Sequence, residues 1–323
     1  MKHIKNINVG EQITDFFVIR WIELRNYDGK PFLVMELGCS SGRIRGTYWD
    51  EDSATWTAKL GEGDIIKVRA TATEYKNQKC LKIEKMRKAK SDEIDYQKLL
   101  PRGKYSPTVL RKRLKKDIES VSDKQLSRLL ELLFFEDAEF MDKFSIYPAA
   151  KLWHGAYIGG LLEHTLRVAK ICEIASSFYP ACRKELLLCG ALVHDIGKVE
   201  EISIKGYFDY NVPGRLLGHT SLGAIMVDKA IDKIPNFPEN IKYELLHLIL
   251  SHHGEYKYGA PVEPKTLEAV ILHFADMLDA QAEGIQHIIE RDLPRGQDFS
   301  EYIKLLGRFI YLDGYRNENM DIE

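Results

Sequence analysis

Between residues 14 and 88 apolar and polar side chains alternate with the two-residue period of strands that bury one face. Residues 14–26 are rich in Phe, Val, Ile and Trp, Asp28-Gly29 offers a hairpin turn, and residues 31–38 return as a second strand. A third strand is expected at 43–49. A helix-like or loop stretch then covers residues 53–60, Gly61 to Gly63 punctuate, and strands at 64–75 and 78–87 pair across Lys76-Asn77. In the fourth strand Ile66, Val68, Ala70 and Ala72 share one face, with Lys67, Arg69, Thr71 and Thr73 on the other. Arg43, Arg45, Thr47 and Trp49 share a face of the third.

From about Ile94 the period lengthens to that of helices. The runs RKRLKKDIESV and KQLSRLLELLFFEDAEFMDKF place apolar residues three and four apart, with Leu126, Leu129, Leu130, Leu133 and Phe134 on one face. Pro101, Gly103 and Pro107 mark a linker. Helical signals continue from Leu161 to about Ile289, broken by a small hairpin at 202–211. The tail aromatics Phe299, Tyr302, Phe309, Tyr311 and Tyr315 are expected to pack back on the body, and residues 317–323 to fray. Three strands, a short connection and a closing hairpin is the order of an OB-fold barrel. The expected architecture is therefore multidomain, a small N-terminal β-barrel of the OB type followed by an all-α domain. Its divisions are 1–90, a helical linker region at 91–150, and 151–323.

At 323 residues and 45% hydrophobic content, the chain has enough apolar material for one large or two ordinary cores. Its five cysteines have no CxxC spacing and cannot all pair, which suits a reducing compartment. Residues 1–12 lack the apolar core of a secretory signal, and the longest apolar run, LLLCGALV, falls short of the roughly 18 residues of a membrane span. A cytoplasmic chain is expected. Charge is uneven: residues 1–90 carry 17 Lys and Arg against 12 Asp and Glu, whereas 151–323 carry 18 against 25. A basic front suits a polyanion. Arg43, Arg45, Trp49, Lys67 and Arg69 are its candidates for single-stranded nucleic acid, cations tracking phosphates and a ring stacking on a base for about 1–3 kcal/mol. The competing reading puts Trp21, Phe32 and Trp49 in the barrel core. The cluster Arg111, Lys112, Arg113, Lys115 and Lys116 reads as a solvated helix face or a second phosphate contact.

Seven of the ten histidines lie between His154 and His253. Five of these occur in GGLLEHT, HDIGK, GHTSLG and SHHGE, and HFADMLDA follows; each phrase lies in or at the end of an apolar helical segment. A His beside an Asp at the end of ELLLCGALVHD sets a carboxylate against a hydrophobic core, and burying an unpaired carboxylate is costly. A divalent cation pairs that carboxylate and takes the imidazole lone pairs. Several helices each supplying one or two such residues, in the order H, HD, H, HH, D, point to a metal site.

This ordered set resembles the HD phosphohydrolase superfamily, carried by His164, His194-Asp195 and Asp276. It resembles the version with two adjacent metals, because His219 and the pair His252-His253 supply extra ligands. The resemblance implies one metal on His164, His194, Asp195 and Asp276, a second on His219, His252 and His253, and Asp195 as the bridge. Mixed imidazole and carboxylate ligands suit Mn, Fe, Co or Zn better than Mg; manganese is the expected ion. Two metals about 3.5–4 Å apart activate water and clamp a phosphoryl group, so phosphoester hydrolysis is the expected reaction. Lys198, one turn beyond Asp195, either stabilises developing negative charge or faces solvent at a helix end. His154 is a candidate for touching the substrate phosphate. His273 and Asp279 flank Asp276 by one turn and are candidates for orienting the ligands, whereas His247 reads as a core histidine.

End to end, the chain resembles the bacterial YhaM-type 3′-to-5′ exoribonucleases, which join an N-terminal OB-fold to an HD domain. The likeness rests on the OB-like front ending near Arg87 and on YIGGLLEHTLRVA, HDIGK, LGHTSLG, LSHHGEYKYGAP and HFADMLDAQ. It implies manganese-dependent removal of nucleotides from the 3′ end of single-stranded RNA, with single-stranded DNA as a second substrate. Two alternatives stand beside it. A cyclic-dinucleotide phosphodiesterase of the HD-GYP type is disfavoured by Gly259-Ala260-Pro261, where those enzymes carry Gly-Tyr-Pro. A nucleic-acid-binding regulatory protein with a vestigial HD site is disfavoured by the complete ligand set. No membrane partner is expected, and the tail and mid-chain helices are candidate surfaces for a homo-oligomer.

Overall fold

Five strands close into a barrel in the computed structural model of the chain, which describes residues 3–75 and 78–316. They are β1 (Gln12–Tyr27), β2 (Lys30–Cys39), β3 (Gly42–Tyr48), then, after helix α1 (Ser53–Lys59), β4 (Ile65–Tyr75) and β5 (Gln78–Lys88). The spatial order β1-β2-β3-β5-β4 closes through β4 on β1, and only β3 and β5 run parallel. This is the OB-fold order expected from the strand spacing. Asp28 (φ 51°) and Gly29 (φ 77°) form the tight β1–β2 turn that matches strand twist. Ile66, Val68, Ala70 and Ala72 line the interior with Leu33, Met35 and Leu37, while Lys67, Arg69, Thr71 and Thr73 face outward. The Lys76-Asn77 turn lies outside the described residues.

The chain divides into two compact units, Met1–Lys104 with Ile202–Asn211, and Tyr105–Glu201 with Val212–Glu323. The expected divisions differ from this in three places. Residues 91–104 belong with the barrel, because Leu99 at the end of helix α2 (Tyr96–Leu99) packs with Val18 and Ile65. The hairpin β6 (Ile202–Ile204) and β7 (Phe208–Tyr210), expected in the C-terminal part, also belongs to the barrel unit. There the Arg20 guanidinium donates to the Gly206 carbonyl at 3.1 Å, and the Tyr207 ring lies over Gly63.

Residues 105–150 are no linker. They form α3 (Pro107–Glu119), α4 (Lys124–Phe134) and α5 (Ala138–Ile146), whose apolar faces enter the helical core. Leu126, Leu129, Leu130, Leu133 and Phe134 are all buried there, as their spacing predicts. The helices start where polar side chains satisfy free N–H groups: Ser106, Asp123 and Asp137 each accept from the first turn. The remaining helices are α6 (Gly160–Ser176), α7 (Lys184–Val193), α8 (Lys198–Glu201), α9 (Val212–Ile231), α10 (Glu239–Ser251) and α11 (Leu267–Asp292). Leu161 and Val168 of α6, Leu192 of α7, Ile249 of α10 and Leu272 of α11 meet in one core.

The tail departs from expectation. Ile310 and Leu312 bury against Ile288 and Ile289 of α11, but Phe299, Tyr302, Phe309, Tyr311 and Tyr315 stay exposed. Two pairs of these rings, Phe299 with Tyr311 and Tyr302 with Phe309, contact each other at centroid distances of 5.3 Å. The branched aliphatic residues between them take the inward positions. Residues 317–323 lie outside the described residues. No helix among the described residues is long and apolar enough to cross a membrane.

Candidate metal centre and nucleic-acid surface

Two of the expected ligands sit where helices end. His194 and His252 are the residues just past α7 and α10, and each Nδ1 meets the carbonyl three residues back, Ala191 at 2.8 Å and Ile249 at 2.7 Å. A carbonyl only accepts, so Nδ1 carries the proton. The contact satisfies an open carbonyl of the last helical turn and leaves the Nε2 lone pair pointing onward. His253 does the same with the Tyr258 carbonyl at 2.9 Å. The other two rings use carboxylates: His164 Nδ1 meets Asp279 Oδ2 at 2.7 Å, and His219 Nδ1 meets Glu201 Oε1 at 3.1 Å.

Local backbone places His219. Helix α9 breaks at Gly218 (φ 72°, ψ 155°), which turns the His219 N–H onto Glu201 at 3.0 Å. Gly197 of the HDIGK phrase lets α9 approach, for a Cβ there would lie 2.1 Å from the His219 carbonyl oxygen and 2.5 Å from the Gly223 nitrogen.

Four of the five Nε2 atoms converge on Asp195, and the fifth, that of His253, stands beside His219. Asp195 Oδ2 lies 3.4 Å from Nε2 of both His164 and His194, and its Oδ1 lies 3.4 Å from His219 Nε2 and 3.6 Å from His252 Nε2. Asp276 Oδ1 is 3.1 Å from His164 Nε2, and His253 Nε2 is 3.2 Å from His219 Nε2. Lys198 is buried, with Nζ 2.6 Å from Asp195 Oδ2, so it does not take the solvent-facing position that was one of its two readings.

The electrostatics are those of a site built around charge. Burial pushes the Asp195 carboxyl up, but Lys198 and the neighbouring imidazoles outweigh it and hold it well below the usual range. Asp276 behaves likewise, burial being outweighed by His164. Burial, then His253 and His194, drive His252 well below the usual imidazole value. Among the described residues Asp195 Oδ1 and His252 Nε2 are buried without a hydrogen-bond partner, and Asp195 Oδ2 has the Lys198 ammonium beside it; a buried polar atom left so is costly, and a cation relieves it. Three donor groups are tight enough to hold an ion: His164, His194 and Asp276; His219, His252 and His253; and His194, Asp195 and His252. Imidazole nitrogen with carboxylate oxygen suits a divalent transition metal.

Other polar residues surround the candidate ligands, two of them not expected from the sequence. His273 Nδ1 donates to the His252 carbonyl at 2.8 Å, and Asp279 Oδ2 lies 2.7 Å from His164 Nδ1, so each touches a candidate ligand. The His154 ring lies 5.1 Å from that of His164, with both ring nitrogens buried and unpartnered among the described residues. His247 stands apart and accepts the Lys265 N–H at 2.9 Å. Sequence reasoning missed Glu201, which carries no motif signal, and Arg167, which lies one helical turn beyond His164.

On the barrel, Arg43 and Arg45 line a cavity of about 480 Å³ together with Trp21, Arg25, Glu36 and Lys79. The other three candidates do not line it. Trp49 stacks on Phe32 with centroids 3.9 Å apart, Lys67 sits over the Phe16 ring at 5.0 Å, and Arg69 pairs with Glu84 at 3.1 Å. Trp21 and Trp49 are 38% and 45% exposed, so neither belongs to the barrel core. The strand register slips between Ile19 and Trp21, which turns Trp21 outward after the buried run Phe17, Val18 and Ile19.

Residues 161–281 match the HD domain family. Among solved structures, the HD domain of the Listeria monocytogenes phosphodiesterase PgpH is 19% identical over 50% of this chain and 87% of its own, with a TM-score of 0.30. The second OB-fold domain of replication protein A from Methanococcus maripaludis is 15% identical over 28% of this chain and 96% of its own, with a TM-score of 0.23. A curated relative, the 3′-5′ exoribonuclease YhaM of Bacillus velezensis, is 32% identical over 309 residues, 94% of this chain and 95% of its own length. Carrying an OB-fold barrel and an HD domain in that order, and alike over nearly its whole length, the chain belongs to the YhaM family of 3′-5′ exoribonucleases.

Proposed function

We propose that the chain is a 3′-to-5′ exoribonuclease that hydrolyses the terminal phosphodiester of single-stranded RNA, and also of single-stranded DNA, with two manganese ions. The observation that supports metal-dependent hydrolysis is the placement of Asp195, whose two buried oxygens face two separate groups of imidazole nitrogens; the 3′ end and the RNA rest on the likeness to the 3′-5′ exoribonuclease YhaM. His164, His194, Asp195 and Asp276 would hold one ion and His219, His252 and His253 the other, with Asp195 available to both. Such ions, when bound, supply an activated water and neutralise charge on phosphoryl oxygens.

The chain's own groups do the rest. Lys198 uses one of its three donors on Asp195 and turns the others to the phosphoryl group, where charge develops. His154, its imidazole held neutral by burial and by the neighbouring His164, donates to a phosphate oxygen. Arg43 and Arg45, with Trp21, Arg25 and Lys79 around the same cavity, take up the strand, cations on phosphates and an indole on a base. Binding there raises the local concentration of strand ends. The five cysteines are all free thiols, which suits a reducing cytoplasm.

The test is a time course on 5′-labelled single-stranded RNA and DNA with Mn²⁺, with and without chelator, beside an Asp195→Ala control. A ladder shortening from the 3′ end, abolished by chelator and by the substitution, is expected. No cleavage, or cleavage that survives the loss of Asp195, defeats the reading.

A further inference from the structure

The two halves of the metal centre differ in what stands behind them. His194, His252 and His253 are oriented by main-chain carbonyls, which helix ends and a turn hold in place. His219 leans on Glu201, which also takes the His219 main-chain N–H, so that pair is locked by the backbone as well. His164 differs. Its partner Asp279 is a side chain 115 residues away, and Asp279 is in turn held by the Arg167 Nε–H, which donates to Oδ1 at 2.7 Å.

Arg167 stands in a pocket of acids. Its guanidinium lies 2.6 Å from Glu283 Oε2 and 3.1 Å from Glu163 Oε1, and the Tyr157 hydroxyl donates to Glu283 Oε1 at 2.8 Å. Glu163 and Asp279 are buried. One cation therefore serves three carboxylates, of which only Asp279 touches a metal donor. Helical geometry produces the cluster: Glu163 and Arg167 are one turn apart on α6, and Asp279 and Glu283 one turn apart on α11.

We propose that Arg167 is a positioning residue that sets the affinity of one metal site, the one made by His164, His194 and Asp276, by fixing Asp279 against His164. Glu283 and Tyr157 fix Arg167 in turn. The inference rests on the two-metal reading above. With Arg167 in place, Asp279 has one oxygen on the guanidinium and the other on His164 Nδ1, which orients the ring and raises its basicity as a ligand. Without it, Asp279 loses the Nε–H that fixes its second oxygen, and with three carboxylates left in one pocket it turns away from its neighbours. That movement loosens His164. The second site feels none of this, since its rings lean on carbonyls and on Glu201. Lysine is a poor substitute because a point charge cannot serve three carboxylates in the fork geometry of a guanidinium.

The test is manganese titration of the full chain by calorimetry, comparing wild type with Arg167→Gln, Arg167→Lys and Tyr157→Phe, with His164→Ala and His253→Ala as markers for the two sites. Arg167→Gln is expected to weaken one site about 10- to 100-fold, the same site that His164→Ala removes, and to leave unchanged the site that His253→Ala removes. Tyr157→Phe should weaken that same site by less. Equal weakening of both sites, or full affinity at both beside a lowered melting temperature, overturns the proposal, because either marks Arg167 as merely structural. A wild-type protein that takes up no manganese overturns the two-metal reading itself. Should Arg167→Gln fail to fold, Glu283→Gln reads the same coupling, and its leaving the His164 site untouched counts against the proposal equally.

Discussion

Replacing Gly197 by alanine separates two opposite expectations about the HDIGK turn. Gly197 is not in the left-handed region, so alanine there meets no backbone strain. Stiffening of the unfolded chain alone would then stabilise the protein by about 0.4–1 kcal/mol. The structure reverses that sign. The new Cβ would lie 2.1 Å from the His219 carbonyl oxygen, 2.5 Å from the Gly223 nitrogen and 3.0 Å from its Cα. All three atoms are main chain of α9, so no side-chain rotation relieves the clash, and the helix must retreat.

Overpacking of this kind costs about 1–3 kcal/mol, which for a unit of this size lowers the melting temperature by about 2–12 °C. His219 moves with α9, so its Nε2, now 3.4 Å from Asp195 Oδ1, loses alignment and manganese stabilises the variant less than wild type. The assay is thermal melting followed at the helical circular dichroism signal, in chelator and in excess Mn²⁺. Gly61→Ala is the control, with open space around its Cβ, and Gly223→Ala, whose nearest neighbours lie at 3.3–3.5 Å, should fall between. A Gly197→Ala protein that melts at or above wild type with its full manganese response would refute the close-approach argument.

Four further outcomes are expected. Chelation should lower the melting temperature and Mn²⁺ restore it, by about 2.7 kcal/mol at 100 times Kd, because Asp195 Oδ1 is buried and unpartnered among the described residues; an Asp195→Ala protein that keeps the full response rejects the centre. Arg43→Ala with Arg45→Ala should weaken single-stranded RNA binding and flatten its salt dependence by about 0.7 for each phosphate no longer neutralised, while hydrolysis of a small chromogenic phosphodiester is unchanged; larger effects from Lys67 and Arg69 would place the strand elsewhere. His154→Ala should slow RNA hydrolysis by roughly 10- to 100-fold, the worth of a hydrogen bond to a charged group at about 1.5–3 kcal/mol, with manganese affinity intact, whereas weakened manganese binding would make it a ligand. His247 is held below its usual pKa by burial and then Lys265, so its neutral form stabilises the fold above about pH 6.5 and that contribution fades as pH falls; urea denaturation of chelated His247→Gln should show a shallower acid decline, and an unchanged decline counts against it.

How much of this could be read from the chain depends on whether a feature belongs to one segment or to two. The candidate ligands were legible as a cluster because each carries its chemistry in its own phrase: an imidazole or carboxylate at an apolar helix end calls for a charged partner wherever that helix goes. The barrel was legible for a similar reason, since alternation in β4 is a local property. Trp21 and Trp49 were harder. One register slip between Ile19 and Trp21 decides which ring reaches the cavity, and no pattern in the sequence marks it. The hairpin at 202–211 was visible as strands, but its place in the barrel unit rests on Arg20 and Gly63, more than 140 residues earlier.

The residues behind the ligands are an intermediate case. Asp279 was found because it lies one turn from Asp276, and the same rule reaches further than it was taken. One turn past His164 on α6 stands Arg167, and one turn past Asp279 on α11 stands Glu283. When two helices each offer a ligand to one centre, the residues one turn on from those ligands face each other as well. A cation on one helix and carboxylates on the other are then a pair that helical spacing alone identifies. Glu201 has no such marker. It reaches His219 only because α9 folds back at Gly218 and closes onto Gly197, a consequence of tertiary packing that spacing along a single helix does not encode.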